Sequence, residues 1–329
     1  MNYIDLFSGA GGFSLGFKEV GFNNIFSIDF DNNFNKTYKY NFPNDILIEK
    51  DITKICIKEI KKLVSNKKID VIIGGPPCQG FSIAGKIGRK FIDDSRNQLF
   101  KEFVRIVDVL KPKIFVMENV ARLYTHNKGL TKKEIISAFN EIGYNVDCKI
   151  LCSADYGVPQ IRNRVIFIGN RLNLKNKFPQ KIFNKYVPIK NVIDDLPKLK
   201  SGQTSNIPNH ESMTHKEEML YKMNFIKDGG NRSQIPKHIR PKSGDVRKYI
   251  KYDSKKPSIC ITGDMRKVFH YNQNRALTVR ELARVQSFPD NFIFKGSRIS
   301  QQQQVGNAVP PLMAKEIALR IKEMLNKYD

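Results

Sequence analysis

The 329-residue sequence is poor in acid, in histidine and in paired cysteine. Only 32 Asp and Glu face 56 Lys and Arg, a formal net charge of +24. Such a deficit of acid points to a polyanionic partner, nucleic acid first, with a lysine-rich surface kept for solubility as the plain alternative. The five cysteines, Cys56, Cys78, Cys148, Cys152 and Cys260, include no CxxC pair and are odd in number. With no secretory signal, that pattern leads us to expect a reducing, cytoplasmic setting rather than a disulfide framework. Cys148 and Cys152 have no second Cys/His pair nearby, so no metal site is expected. Of the five histidines none stands near Cys78 in sequence, His126 being the nearest, and nothing local suggests a Cys–His hydrolase. No apolar run approaches the length of a membrane span, and no internal repeat is present.

Strand and helix signals alternate through the first 170 residues. Tyr3–Phe7 and Ile25–Ile28 read as strands, with a helix between them over Phe13–Val20. "DVIIGG" is a short apolar run ending in turn residues, which suits a strand buried on both faces. A helix over Gln98–Leu110, a strand over Ile114–Met117 and a helix over Thr131–Ile142 follow. Two further strand signals, "VDCKILCSADYG" and "RVIFIG", complete the series. The alternation predicts an α/β fold with a doubly wound mixed sheet.

From Arg171 the periodicity fades. Residues 171–274 hold 22 Lys and Arg against 9 Asp and Glu, the most densely basic part of the chain. We expect a catalytic and cofactor domain at 1–170, a second domain at 171–274, and a segment at 275–329 that returns to the first. Thr278 and Glu281 form a capping box at a helix start. Pro311 suits the start of a last helix, on which Ala314, Ile317, Ala318, Ile321 and Leu325 share one face.

Three stretches carry chemistry. "DLFSGAGGF" follows the first strand, and Gly9, Gly11 and Gly12 allow positive φ and close approach of backbone to a ligand. Asp29 lies 20 residues beyond Gly9 at the end of the second strand signal, where a carboxylate can accept both hydroxyls of a ribose. This spacing fits a nucleoside cofactor without separating NAD from S-adenosylmethionine. In "GGPPCQGFS", Pro76 and Pro77 stiffen the turn and set Cys78 at the carboxyl end of a buried strand. Glu118, ending the next strand, should stand beside it as a proton donor. Arg162 and Arg164, at i and i+2 in "QIRNR", should share one face, where they could hold an anion or lower a thiol's pKa.

The order "DLFSGAGGF", "GGPPCQGFS", "MENV", "QIRNRVIFIG", "RALTVRELARVQSFP" and "QVGNAVPP" resembles the DNA cytosine-5 methyltransferases, most closely the bacterial restriction–modification members. The resemblance covers residues 2–169 and 275–325 and implies that 171–274 is the target-recognition region. It implies Cys78 as the nucleophile adding to C6 of a flipped cytosine, Glu118 on N3 and the exocyclic amine, Arg164 on O2, and Arg162 supporting the thiolate. S-adenosyl-L-methionine would be the methyl donor and S-adenosyl-L-homocysteine the product. Phe7, the three glycines, Asp29, Asp51, Ile52, Pro77 and Leu99 would hold the cofactor, with Asn307 and Ala308 closing the site. Gln79 and Ser82 would face the DNA, and Gly80–Asn97 would be a loop closing over it. Arg240, Arg247, Arg266, Lys267 and His270 are the candidate base or phosphate contacts of the recognition region. Double-stranded DNA is the implied substrate, a restriction endonuclease the implied companion, and a monomer the expected state. A tRNA cytosine methyltransferase, a catalytically silent DNA-binding regulator and a nicotinamide oxidoreductase are the competing readings. The last has no use for "PPCQ", and the intact Cys78, Glu118 and Arg164 speak against the regulator.

Overall fold

The computed structural model describes residues 1–65, 67–77, 97–241 and 248–328. The chain divides into two compact units. The first holds residues 1–152, 163–180 and 313–329; the second holds 153–162 and 181–312.

The first unit is built on a seven-stranded sheet. Its elements are β1 (Asn2–Leu6), α1 (Gly12–Glu19), β2 (Asn23–Ile28), α2 (Asn32–Asn41), β3 (Leu47–Ile48), α3 (Ile57–Val64), β4 (Val71–Gly74), α4 (Gln98–Leu110), β5 (Ile114–Val120), α5 (Leu130–Glu141) and β6 (Asn145–Cys152). The two-residue β7 (Gln160–Ile161) belongs to the second unit, and β8 (Asn163–Asn170) returns to the first. The strand order is β3-β2-β1-β4-β5-β8-β6, with β1 to β5 parallel and β8 antiparallel to both neighbours. The sheet is therefore mixed and doubly wound, as the alternation predicts. All four residues of β4 are buried, which explains its unbroken apolar run: both faces of a parallel strand are covered. The order reverses between β1 and β4, so the carboxyl ends of these two strands form the crevice where α/β sheets take ligands.

The layer of α4 and α5 is filled by aromatics. Phe100, Phe103, Phe115 and Phe139 are fully buried, and Phe115 stacks on Phe139 at 4.0 Å between ring centroids. α4 keeps the bounds its spacing predicts. The last helix begins at Pro311 and buries Ala314, Ile317, Ala318, Ile321 and Leu325 completely, each large side chain contributing about 2 kcal/mol. Against α1 it packs close enough that a Cβ on Gly16 would meet Ala314 backbone and side chain.

The second unit carries α6 (Lys190–Ile193), α7 (Glu217–Asn224), β9 (Ile250–Lys251), β10 (Ser258–Ile259), β11 (Val268–Phe269), α8 (Val279–Val285) and α9 (Arg298–Asn307), followed by α10 (Pro311–Asn326), most of which lies in the first unit. Its strands are two residues long, so buried ion pairs and side-chain-to-backbone bonds take a larger part in holding it. Arg275 grips Glu281 through two bonds of 2.8 and 2.6 Å, and Glu281 also closes the capping box with Thr278. These boundaries correct the expectation at two places. Residues 275–312 stay with the second unit instead of returning to the first, because Arg275 bonds to the Leu199 carbonyl and Arg280 to the Pro208 carbonyl. Residues 153–162, inside the segment assigned to the first domain, join the second unit through the β7–β10 pairing.

Candidate active site

At the carboxyl end of β1 the chain turns through Phe7 (φ +65), Gly9 (φ +56) and Gly11 (φ +96) before α1 begins at Gly12. The turn is tight enough to place a non-glycine residue, Phe7, in the left-handed region, a conformation that carries strain. Gly12 lies inside the helix and needs no positive φ, contrary to the expectation for all three glycines. Gly11 is bare for packing: a Cβ there would collide with the ring of Phe42.

Asp29 ends the next strand over. Its carboxylate accepts from the Gly9 amide at 2.8 Å and from the Asp31 amide at 2.9 Å, which ties the glycine turn to the end of β2. Burial raises its pKa, and the backbone donors oppose that rise. A carboxylate has about four lone-pair sites, so acceptor capacity remains for a diol. Beside it Phe30 is 66% exposed, the most exposed large apolar side chain among those described. An aromatic ring left in water next to a carboxylate and a glycine turn is a ready stacking surface, and no motif in the sequence marks it. Asp51 caps a short 3₁₀ turn, accepting from the Thr53 amide at 3.0 Å and its hydroxyl at 2.8 Å, and these bonds lower its pKa. Ile52 behind it is buried, and Leu99 is half-buried against the main core.

Behind the turn lies a polar network that nothing in the sequence announces. Asp5 on β1 is 1% exposed, and Ser14 of α1 donates to its Oδ2 at 2.6 Å. Ser14 also contacts the Tyr38 hydroxyl at 3.2 Å, which in turn bonds Ser27 at 2.7 Å and Asp45 at 3.1 Å. Burial pushes the Asp5 carboxyl up to about 8. The network fixes α1, and so the glycine turn, against β1, β2 and α2.

The catalytic edge is one strand further on. Beyond β4 the chain runs through Gly75, Pro76 and Pro77, with Pro77 exposed. Asn119 donates to the Pro76 carbonyl at 3.0 Å and so holds the proline turn to the end of β5. Glu118 lies over Gly75, where a Cβ would stand 3.1 Å from its Oε2. In the β5–β8 ladder Glu118 faces Ile166 and Val120 faces Arg164, so Glu118 and Arg164 are diagonal neighbours. Arg164 Nε sits 2.7 Å from Glu118 Oε1, the side chains 14% and 12% exposed. Each group is thus held by the other at the strand ends. Cys78, Gln79, Ser82, Arg247 and most of the expected Gly80–Asn97 loop lie outside the described residues.

Arg162 has a different setting from the one expected. It stands between β7 and β8 rather than within a strand, so the i, i+2 alternation with Arg164 does not apply. Its guanidinium donates to the carbonyls of Ile261 (3.1 Å), Gly306 (2.9 Å) and Ala308 (3.1 Å) and contacts Cys260 Sγ at 3.4 Å. Fully buried, it ties three chain segments of the second unit together. Ala308 also accepts from Gln286, while Asn307 is exposed.

The recognition-region candidates divide. Lys267 lies over the Tyr249 ring at 5.0 Å, and Arg266 pairs with Asp264 at 2.9 Å on the surface. Arg240 donates to the carbonyls of Ile235 and Ser233, fixing its own loop. His270 is a correction: it is 1% exposed, beside Glu281 and stacked on Tyr271, and burial drives its pKa down to about 4. A neutral, enclosed imidazole is core, and it cannot reach a phosphate.

Comparison with known proteins agrees with this geometry. Residues 1–323 match the family model of C-5 cytosine-specific DNA methylases. The Type II methyltransferase M1.HphI of Haemophilus parahaemolyticus is 56% identical, covering 98% of this chain and 87% of that protein. M.DdeI of Desulfomicrobium norvegicum is 38% identical over 98% of this chain and 88% of its own. Among solved structures, an E. coli protein encoded within a prophage superposes with a TM-score of 0.81 at 26% identity, over 99% of both chains. A strand-end Glu118–Arg164 pair beside the Pro-Pro turn, a glycine turn tied to Asp29, and matches of this extent lead to one assignment: the chain belongs to the C-5 cytosine-specific DNA methylases and methylates cytosine in DNA at C5.

Proposed function

We propose that the methyl donor is S-adenosyl-L-methionine and that the acceptor is one cytosine within a specific sequence of duplex DNA. We further propose that the enzyme acts as a cytoplasmic monomer, and as the modification partner of a restriction endonuclease, as the Type II names of its relatives suggest. The Glu118–Arg164 pair carries the reading. The cofactor's fit rests on Asp29, whose carboxylate keeps lone pairs for the ribose diol, and on exposed Phe30 as a stacking surface for adenine. Phe7 and the glycines line the turn, with Asp51, Ile52, Pro77 and Leu99 around the base.

When bound, this cofactor supplies a sulfonium methyl group open to attack by carbon. Everything else falls to the chain. The target base leaves the duplex stack, at a cost of a few kcal/mol, because C6 is inaccessible inside it. The Cys78 thiolate adds to C6, the 5,6 double bond opens, and C5 becomes a nucleophilic carbon. Negative charge moves toward N3 and O2 as the thiolate adds. Glu118, carrying a proton taken up with the base, donates it to N3 and accepts from the exocyclic amine, and Arg164 donates to O2, so both interactions strengthen as the charge develops. Once C5 carries the methyl group, its proton leaves to water, the N3 proton returns to Glu118, and expulsion of the thiolate restores the aromatic ring. In this account Arg162 acts by holding residues 260–261 and 306–308 in place.

Calorimetry tests the donor. S-Adenosyl-L-homocysteine should bind the wild type and lose at least tenfold in affinity in Asp29→Ala and in Phe30→Ala. Equal binding by all three, or binding of NAD instead, would overturn the proposal.

A further inference from the structure

At the edge of the sheet away from this site lies a cavity of about 460 Å³. It is formed where α3 and α4 end and the chain enters β4 and β5, all within the first unit. Five of its ten lining residues are lysines, Lys61, Lys67, Lys68, Lys111 and Lys113, and none is acidic. Val64 and Ile69, both buried, give it an apolar floor. Arg171 stands at the rim, its guanidinium on the Lys111 carbonyl at 3.3 Å.

The lysines are not equivalent. Lys113 is 8% exposed and held between Asp70 at 3.4 Å and the Tyr328 ring at 5.2 Å. Lys111 pairs with Asp108. Lys61, Lys67 and Lys68 are exposed, and among the described residues none has a carboxylate within ion-pair distance. Two helix C-termini here attract cations, and that accounts for one or two lysines. It suits Lys61 in the last turn of α3 and Lys111 at the end of α4, but not Lys67 and Lys68, which stand beyond the helix with no carboxylate in ion-pair distance among the described residues. The distance matters too. From Ile114 to Glu118 the strand advances roughly 13 Å at about 3.3 Å per residue, so the cavity and the Glu118–Arg164 pair occupy opposite ends of β5. A duplex seated for methylation at the carboxyl edge leaves these lysines unsatisfied.

We propose that this basic cavity is a second DNA-binding site, which holds the phosphate backbone of a duplex segment other than the one carrying the target cytosine. The proposal rests on the assignment of DNA as substrate. Three unpaired lysines would neutralise about three phosphates and release their counterions, giving a log–log salt slope near −3 for the second segment. Such a site would let the enzyme hold one stretch of DNA while it samples another, so methylation of long DNA would exceed that of a minimal duplex at equal target concentration.

The test uses the full-length enzyme saturated with a minimal target duplex and S-adenosyl-L-homocysteine. A fluorescent duplex lacking the target is then titrated in and its anisotropy followed against salt. The wild type should bind it with a slope near −3, and the Lys61→Ala/Lys67→Ala/Lys68→Ala variant should lose that binding at least thirtyfold. The same variant should methylate the minimal duplex at the wild-type rate. If the saturated wild type takes no second duplex, or the triple variant takes it equally well, the proposal is overturned. If inorganic triphosphate binds the cavity while the second duplex does not, the site serves a small anion and the proposal is also overturned. Failure of the wild type to methylate the minimal duplex would count against the DNA assignment itself, which keeps the two failures apart.

Discussion

Replacing Arg164 by methionine separates what the Glu118–Arg164 pair does for stability from what it does for chemistry. The two side chains are 14% and 12% exposed and in contact at 2.7 Å, so the pair is mostly but not wholly withdrawn from water. Breaking a buried pair by removing one partner costs about 3–5 kcal/mol, because the remaining charge stays without compensation. Residual exposure moves the expectation to the lower end, about 2–3 kcal/mol in urea unfolding. Glu118→Gln alone leaves a buried guanidinium and should cost a similar amount. The double variant carries no uncompensated charge and has nearly the same volume, so it should recover most of the loss, with a coupling of about 1–3 kcal/mol. Catalysis should not follow stability. Loss of proton transfer to N3 in Glu118→Gln, which can still donate a hydrogen bond, and of the O2 donor in Arg164→Met should each lower single-turnover methylation by about a hundredfold or more, and the double variant should be no faster than either single one. Rescue of stability without rescue of rate is the signature of a pair whose members both touch the reacting base. A double variant that regains the rate, or an Arg164→Met protein as stable as wild type, would refute the reasoning.

Two further outcomes follow from burial. Asp5 is neutral in the folded protein up to about pH 8 but ionises near 3.8 when unfolded, so stability should fall as pH rises between these values and level off above them. Asp5→Asn should flatten that decline, and thermal unfolding from pH 5 to 9 should show the variant gaining on the wild type as pH rises; parallel curves would contradict the burial argument. Arg162→Lys should weaken the second unit by about 2 kcal/mol or more, since an ammonium cannot span the carbonyls of residues 261, 306 and 308, and the pH–rate profile of the folded enzyme should stay unchanged. A shifted profile would instead place Arg162 on the thiol.

Local signals are legible in this sequence, and long-range ones are not. The α4 spacing, the Thr278–Glu281 box and the buried face of α10 are each written within one helix, where the 3.6-residue period acts directly. The positions of Asp29 and Glu118 follow from strand ends, which apolar runs mark. Arg162 shows the opposite case. Its partners stand 98 to 146 residues away, and a guanidinium that ends in the interior looks in sequence like any surface arginine. His270 follows Val268 and Phe269 on β11, so its burial can be inferred from that apolar run, although net charge points to it as a cation. Charge counts also hide the difference between Arg266, already paired with Asp264, and Lys61 or Lys67, which have no ion-pair partner among the described residues. Unit boundaries are hidden for the same reason: what joins residues 275–312 to the second unit is buried polar bonding to segments near residues 199–210.

The central claim, methyl transfer to C5 through a cysteine adduct, is tested most directly by trapping. Duplex DNA with 5-fluorocytosine at the target cannot lose a proton from C5, so the adduct should persist after methylation. In the presence of S-adenosyl-L-methionine the wild type should form a denaturation-resistant complex with this DNA, its mass equal to protein plus methylated strand, and Cys78→Ser should form none. Methylation of ordinary target DNA by the serine variant at the wild-type rate, or a wild type that turns over the fluorinated duplex without a covalent complex, would contradict the account.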